Sequence, residues 1–305
     1  MEEQAGTSRR MCGAAAAYYL AVESHPEYRQ RQRALEIETA QRMAAGPESL
    51  IPDEPITIPV VVHVVYDEDS ENIPDDQIRS QITVLNQDFG ATNPNAPNVP
   101  DVWRGFVVDT NIRFALASED PEGNSTTGIT RTQTDRREFG IDDSVKSANT
   151  GGVDPWEPDR FANVWVCNLA GGLLGYAQFP GGTDDIDGVV ILNTAFGTRG
   201  TAAAPYNGGQ TATHEFGHYL NLYHIWHPDN TCSDGDEISD TPNQEGPNYG
   251  RPEFPHVSCN NGPNGDMFMN FMDYVEDANM FMFTPQQAAR MMATLQGPRS
   301  SLGRP

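Results

Sequence analysis

Runs of apolar and polar positions place the main elements of the chain. "ITIPVVVHVVY" (56 to 66) is β-branched or apolar at nearly every position, which predicts a strand covered on both faces. Its lone His63 reads as a core residue. "DDQIRSQITVLNQDF" sets Ile78, Ile82, Leu85 and Phe89 at steps of four, three and four, one apolar face of an amphipathic helix. Further strands are predicted in "IRFALAS" (112 to 118), "ANVWVCNL" (162 to 169) and "DGVVILN" (187 to 193). "LLGYAQFP" (173 to 180) lies between the last two, and its Gly175 and Pro180 suit an edge strand. In "ANVWVC", Trp165 and Cys167 share one face while Val164 and Val166 take the other, so Cys167 reads as a buried free thiol. A late helix is marked in "TPQQAARMMATLQ", with Thr284 as N-cap, Pro285 at the first helical position and Gln287 completing a capping box. The tail "GPRSSLGRP" is expected to be disordered.

Two regions depart from this regularity. "RQRQRALEIETAQRMAAG" is a charged run of helix formers, followed by the proline-bearing linker "GPESLIPDEP". Ahead of it, "SRRMCGAAAAYYLAV" faintly resembles an export signal but runs into charged helix instead of a cleavage region. A signal, if the protein is exported, is expected to have been removed before this numbering begins. After His224, "HPDNTCSDGDEISDTPNQEGPNYGRPEFP" is almost all turn formers and charges.

Composition narrows the functional classes. The chain has 305 residues and a formal net charge of −24, which repels nucleic acid, so no nucleic-acid partner is expected. No apolar run of about 18 residues exists, so no membrane span is expected. Four cysteines without a CxxC spacing exclude a cysteine zinc ribbon and are too few for a disulfide scaffold.

The chemistry concentrates in "THEFGHYLNLYHIW" (213 to 226), which holds three of the seven histidines. His214 and His218 stand one turn apart on one helix face, where two imidazoles can point at one ion at about 2.1 Å. Glu215 lies beside such an ion without being a ligand and can act as general base on a zinc-bound water. His224 is ten residues past His214. On a continuous helix it would lie roughly 15 Å along the axis, out of reach. The helix must therefore stop and the chain turn back. Asn221 sits where a left-handed residue is required, and asparagine is the best substitute for glycine there. In "MNFMDYVEDANMFMFT" (269 to 284), Met272 alone is followed two residues on by a tyrosine, Tyr274. Core packing is the alternative for this methionine-rich stretch. If the chain resembles a metzincin, a methionine turn under the zinc is implied; Met272 is then expected to be that floor, and Tyr274 to hydrogen-bond the oxyanion of the reaction.

"HEFGHYLNLYH", "NFMDY" and "MFT" before a helix resemble the pappalysin (cytophagalysin) family of metzincin metallopeptidases, as do "IPVVVHVVY", "QIRSQITVLNQDF", "LLGYAQFP" and "DGVVI". The resemblance covers roughly residues 55 to 296 and implies an α+β fold. Residues 1–54 would form a pro-segment and linker, 55–224 an upper subdomain of twisted mixed sheet and helices, and 225–305 an irregular lower subdomain. It implies a secreted, monomeric zinc endopeptidase, with one catalytic zinc on His214, His218 and His224. Extended protein or peptide substrates would lie antiparallel to the edge strand "LLGYAQFP".

The resemblance further implies a disulfide between Cys232 and Cys259, which would stabilise the lower loop by roughly 3 kcal/mol. It implies structural calcium at "CSDGDEISDTP", with Asp236 and Thr241 as the best-matched ligands; a solvated acidic loop is the alternative. Cys12 resembles a pro-segment cysteine that binds the catalytic zinc in a latent zymogen; an incidental free thiol is the alternative. Two departures stand out. Asn221 replaces the usual glycine, and a second disulfide common in the family has Asn279 in its place. Glu276 and Asp277 suggest a primed pocket for a basic side chain. A catalytically weak homologue that only binds peptides is the competing reading, and Glu215 argues against it.

Overall fold

The computed structural model describes residues 9–303. Six strands form one mixed sheet: β1 (Ile56–Tyr66), β2 (Ile112–Leu116), β3 (Ile129–Gln133), β4 (Ala162–Cys167), β5 (Gly175–Ala177) and β6 (Val189–Leu192). The order is β2-β1-β4-β6-β5, with β3 also paired to β1. The first half of β1 pairs with β2 from Ile56 to Val60 and the second half with β3 from Val62 to Tyr66, all parallel. β4 and β6 continue the parallel part, and β5 closes the edge antiparallel to β6. β1 is buried on both faces, as its continuous apolar run predicts. β3, "ITRTQ", was not predicted: its side chains are half-buried or exposed, so it carries no apolar pattern.

Two helices, α3 (Asp75–Phe89) and α5 (Gln210–Tyr219), pack with one sheet face. There Val60, Val62, Val64, Val164, Val166, Val189 and Ile191 share a core with Ile78, Leu85, Phe89 and Phe216. On the other face Val65, Trp165, Cys167, Tyr176 and Val190 pack with Phe139, Val145 and Ala17. Cys167 is a fully buried free thiol. His63 is a buried structural residue, bonded to Thr130 Oγ1 at 2.8 Å and Asn163 Oδ1 at 3.0 Å. Burial lowers its pKa to about 4, so it stays neutral.

The N-terminal segment is folded onto the rest. α1 (Ala14–Ser24) meets α2 (Pro26–Ala44) at His25, and α1 lies against β5. Arg10, within the stretch that resembles an export signal, is buried in the body of the protein. A short α4 (Asp101–Arg104) precedes β2.

Beyond α5, the described residues contain no strand, only isolated bridges, before α6 (Pro285–Leu295). Buried carboxylates organise this part. Asp273, fully buried, accepts hydrogen bonds from Gln244 Nε2, from Asn248 N and Nδ2, and from the Tyr274 amide. Cys232 and Cys259 form a disulfide with Cα atoms 5.6 Å apart. The helix start is capped as expected: Thr284 Oγ1 accepts from Gln287 N, and Gln287 Oε1 accepts from Thr284 N.

The tail corrects one expectation, being ordered as far as residue 303. Arg299 makes two hydrogen bonds of 2.6 Å to the Asp187 carboxylate and stacks over Tyr219 at 3.5 Å, and Leu302 is buried. A polar-looking tail is thus held by one buried bidentate ion pair, which composition does not reveal.

Candidate active site

α5 begins after Gly209 in a left-handed turn (φ 86°), and all ten of its residues are buried. It ends as the sequence requires. Asn221 adopts φ 76°, its amide donates to the His218 carbonyl at 2.9 Å, and the Leu222 amide donates to the Gly217 carbonyl at 2.8 Å. These two bonds are a Schellman motif with asparagine in the left-handed position. The turn returns the chain, so that His224 faces His218.

The three imidazoles converge. His218 Nε2 lies 3.1 Å from His214 Nε2 and 3.1 Å from His224 Nε2. His214 Nδ1 bonds the Phe271 carbonyl at 2.7 Å, and His218 Nδ1 bonds the Leu222 carbonyl at 2.7 Å. A carbonyl only accepts, so each Nδ1 carries the proton and each Nε2 turns a lone pair inward. Burial holds His218 at a pKa of about 4 and keeps His214 and His224 well below the usual histidine range. Neutral nitrogen lone pairs crowded in a buried space repel one another unless a cation sits among them. Cys12 Sγ completes the cluster, in which the four ligand atoms lie within 4.8 Å of one another. Three histidine nitrogens and one cysteine sulfur form a donor set suited to zinc.

Around this cluster the other expected residues take their places. Glu215, fully buried beside the histidines, has Oε2 3.5 Å from Cys12 Sγ. Burial pushes its carboxyl up to about 8, partly offset by Cys12 and Arg10. Burial, with the Glu215 charge beside it, likewise raises the Cys12 thiol. Met272 lies beneath the helix: a Cβ on Gly217 would fall 2.4 Å from Met272 Sδ, so the helix glycine makes room for the methionine. The Tyr274 ring stands 4.9 Å from His224 and 5.7 Å from His214. His224 is stacked on Trp226, ring centres 4.3 Å apart and 8° from parallel. Trp226 was not singled out from the sequence.

The edge strand β5 borders the cluster. A Cβ on Gly175 would come within 3.0 Å of Glu215 Cγ, so glycine lets the strand approach the acid. The N-terminal segment occupies this edge: Gly13 N donates to Gly175 O at 2.8 Å, and Leu174 N donates to Met11 O at 2.9 Å. Cys12 and Gly175 are paired parallel.

Arg10 enters a neighbouring pocket and is buried there. Its Nε donates to the Val275 carbonyl at 3.1 Å, one Nη donates to Thr211 Oγ1 at 3.1 Å, and the other Nη donates to the Asp277 carboxylate. Asp277 is held by the Gly208 amide at 2.8 Å. Of the two acids expected to favour a basic side chain, Asp277 thus faces one, while Glu276 pairs with Arg251 instead. Arg10 was missed as a site residue; its place two residues before Cys12 was the available signal. Asp236 and Thr241 are both buried and bonded to each other, Thr241 Oγ1 donating to Asp236 Oδ2 at 2.7 Å. Burial raises the Asp236 carboxyl to about 7. Asp240 is committed elsewhere, capping α6 through Thr284 Oγ1 and Gln286 N.

A mixed sheet over a buried helix, with three inward-turned imidazoles and an acid beside them, marks a zinc metalloendopeptidase. Comparison with known proteins agrees. A family model described as Pregnancy-associated plasma protein-A matches residues 147–296. An extracellular metalloprotease of Arthroderma otae is 30% identical over 275 residues, covering 88% of this chain and 89% of that protein. Extracellular metalloprotease 1 of Coccidioides posadasii is 32% identical over 249 residues, covering 78% and 76%. Among solved structures, a promirolysin mutant from Tannerella forsythia superposes with a TM-score of 0.88 at 43% identity, covering 97% of this chain and 100% of that one. Mature mirolysin of the same organism, in complex with a cleaved peptide, gives 0.78 at 47% identity, covering 83% and 100%. The chain belongs to the pappalysin family of metallopeptidases.

Proposed function

We propose that this protein is a secreted zinc endopeptidase in its latent form, with residues 1–54 as the pro-segment. The observation that carries this reading is the four-ligand cluster, in which one ligand, Cys12, comes from a segment laid along the substrate edge. His214, His218 and His224 would hold the ion. A zinc ion there polarises water and carbonyl groups and lowers the pKa of water toward about 7. Glu215 takes the proton of the attacking water and passes it to the leaving amine. Tyr274 donates its phenol hydrogen bond to the developing oxyanion, and Met272 supports the cluster from below. Cys12 would hold the same ion through its thiolate, in the place a water would otherwise take.

Chain polarity supports latency. An extended substrate antiparallel to β5 would place its scissile bond at the cluster. The segment around Cys12 runs parallel to β5 instead, so its peptide bonds face the site in reverse. Arg10, N-terminal to Cys12, then lies where a substrate has the residue just after the cut bond. Its buried contact with Asp277 favours arginine or lysine at that position. The promirolysin structure matches 97% of this chain and the mature mirolysin structure 83%, a shortfall comparable with residues 1–54. Secretion is supported by the relatives' description as extracellular. For calcium, Asp236 and Thr241 are close together and buried, and a bound cation would stabilise the carboxylate that burial disfavours.

Glu215→Ala is expected to abolish casein cleavage while about one zinc per chain stays bound; full activity in this variant would refute the mechanism. Full-length Cys12→Ala should cleave casein before any processing, whereas wild type should not. Equal latency of the two removes Cys12 from the account. A peptide-library profile of the processed enzyme should show arginine or lysine directly after the cut bond, and a profile without a basic preference there rules out the Asp277 pocket. Thermal melting should shift downward when calcium is chelated; an unchanged midpoint means the acidic loop is only solvated.

A further inference from the structure

Glu36 of α2 is held by three donors that lie outside the pro-segment. Its Oε1 accepts from Asn221 Nδ2 at 2.8 Å and from Tyr223 OH at 3.0 Å, and its Oε2 accepts from Arg290 Nη2 at 2.7 Å. Asn221 and Arg290 are each 3% exposed. The donors hold one another in place: Arg290 Nε donates to the Asn221 carbonyl at 2.7 Å, and the guanidinium lies 4.9 Å over the Tyr223 ring. Among the described residues, Glu36 is the one carboxylate paired with Arg290. The nearby Asp236 is already engaged by Thr241 Oγ1 and the Ile238 amide.

With α2 in place this guanidinium is enclosed and Glu36 is its anion; without α2 the same donors would face the vacated groove, open to another carboxylate. Removing α2 would take the carboxylate away and keep all three donors. Asparagine at position 221 also gains a meaning beyond the helix stop. Glycine would stop the helix equally well at φ 76°, but only asparagine adds an amide donor at this spot.

The location bears on substrate. Phe179, just beyond β5, packs on His218 at 5.3 Å and on Tyr223 at 5.4 Å, so one ring separates the trio from the zinc cluster. Arg10 marks the opposite, primed side. A substrate antiparallel to β5 would bring its residues before the cut bond past Ala177 to Phe179, toward the trio. We propose that in the processed enzyme Asn221, Tyr223 and Arg290 form a carboxylate subsite. It receives an aspartate or glutamate side chain of the substrate, N-terminal to the cut bond. Glu36 occupies this subsite in the latent form. The proposal rests on the zymogen reading above.

The test starts from the full-length protein, processed by limited proteolysis in the linker between residues 44 and 55 and assayed on casein. Matched peptides, with arginine after the cut bond, then carry Glu or Gln at the second, third or fourth residue before it. Wild type should prefer Glu over Gln in kcat/KM by about tenfold at one of these positions, the factor expected of one charge-assisted hydrogen bond. Asn221→Gly and Tyr223→Phe should each reduce the ratio to below about threefold. Each ratio is taken within one protein, so changes in stability or overall activity cancel. An active enzyme that cleaves Glu and Gln peptides alike, or variants that keep the full ratio, overturn the subsite and leave the zymogen reading standing. A chain that stays inactive after processing overturns the zymogen reading and the subsite together.

Discussion

The whole arrangement depends on one backbone event, the reversal of the chain directly after His218. Without it, His224 would continue along the helix axis, roughly 15 Å from His214. With Asn221 at φ 76°, the chain turns within three residues, and the His218 ring bonds the Leu222 carbonyl inside that turn. The stop therefore does two things. It delivers the third imidazole, and it supplies the acceptor that fixes the His218 tautomer. One turn earlier, Met272 packs from below against the bare backbone of Gly217. Helix end, ligand orientation and floor are parts of one packing problem.

Much of this was legible in the sequence because it rests on local rules. The β-branched run of β1, the four-three-four spacing in α3 and the capping box of α6 each need only neighbouring residues. The same holds for the histidine spacing and the need for a left-handed stop. What escaped depends on partners distant in sequence. β3 has no apolar face and exists because the second half of β1 needs a neighbour. The tail is ordered through Arg299 and Asp187, 112 residues apart. Arg10 and Asp277 are 267 apart, and neither has a local pattern that announces a buried ion pair.

The region after α5 is ordered by a different means from the sheet. It has few strands or helices to satisfy its backbone, so buried acids do this work. Asp273 gathers the 244 to 248 loop, and Asp266 gathers His256, Ser258 and Asn261. The disulfide ties Cys232, ahead of the 244 to 248 loop, to Cys259 beyond it. Part of the strongly acidic composition is therefore internal scaffolding. That is why net charge alone says little about partners beyond an expectation against nucleic acid.

Among the contacts that the described N-terminal segment makes with the rest of the chain, three stand at polar or ligating groups: Arg10 at Asp277, Cys12 at the histidines and Glu36 at Arg290. Each contact is of a kind that a substrate or metal could also make, yet the parallel pairing at Gly175 reverses the peptide direction. On the proposed zymogen reading, competition for the same donors with a chain that cannot present its bonds correctly would be a simple physical basis for latency. It also means that affinity is spread over several sites. Cleavage of the linker would leave each contact to be broken singly, so release becomes favourable once the covalent tether no longer keeps the local concentration high.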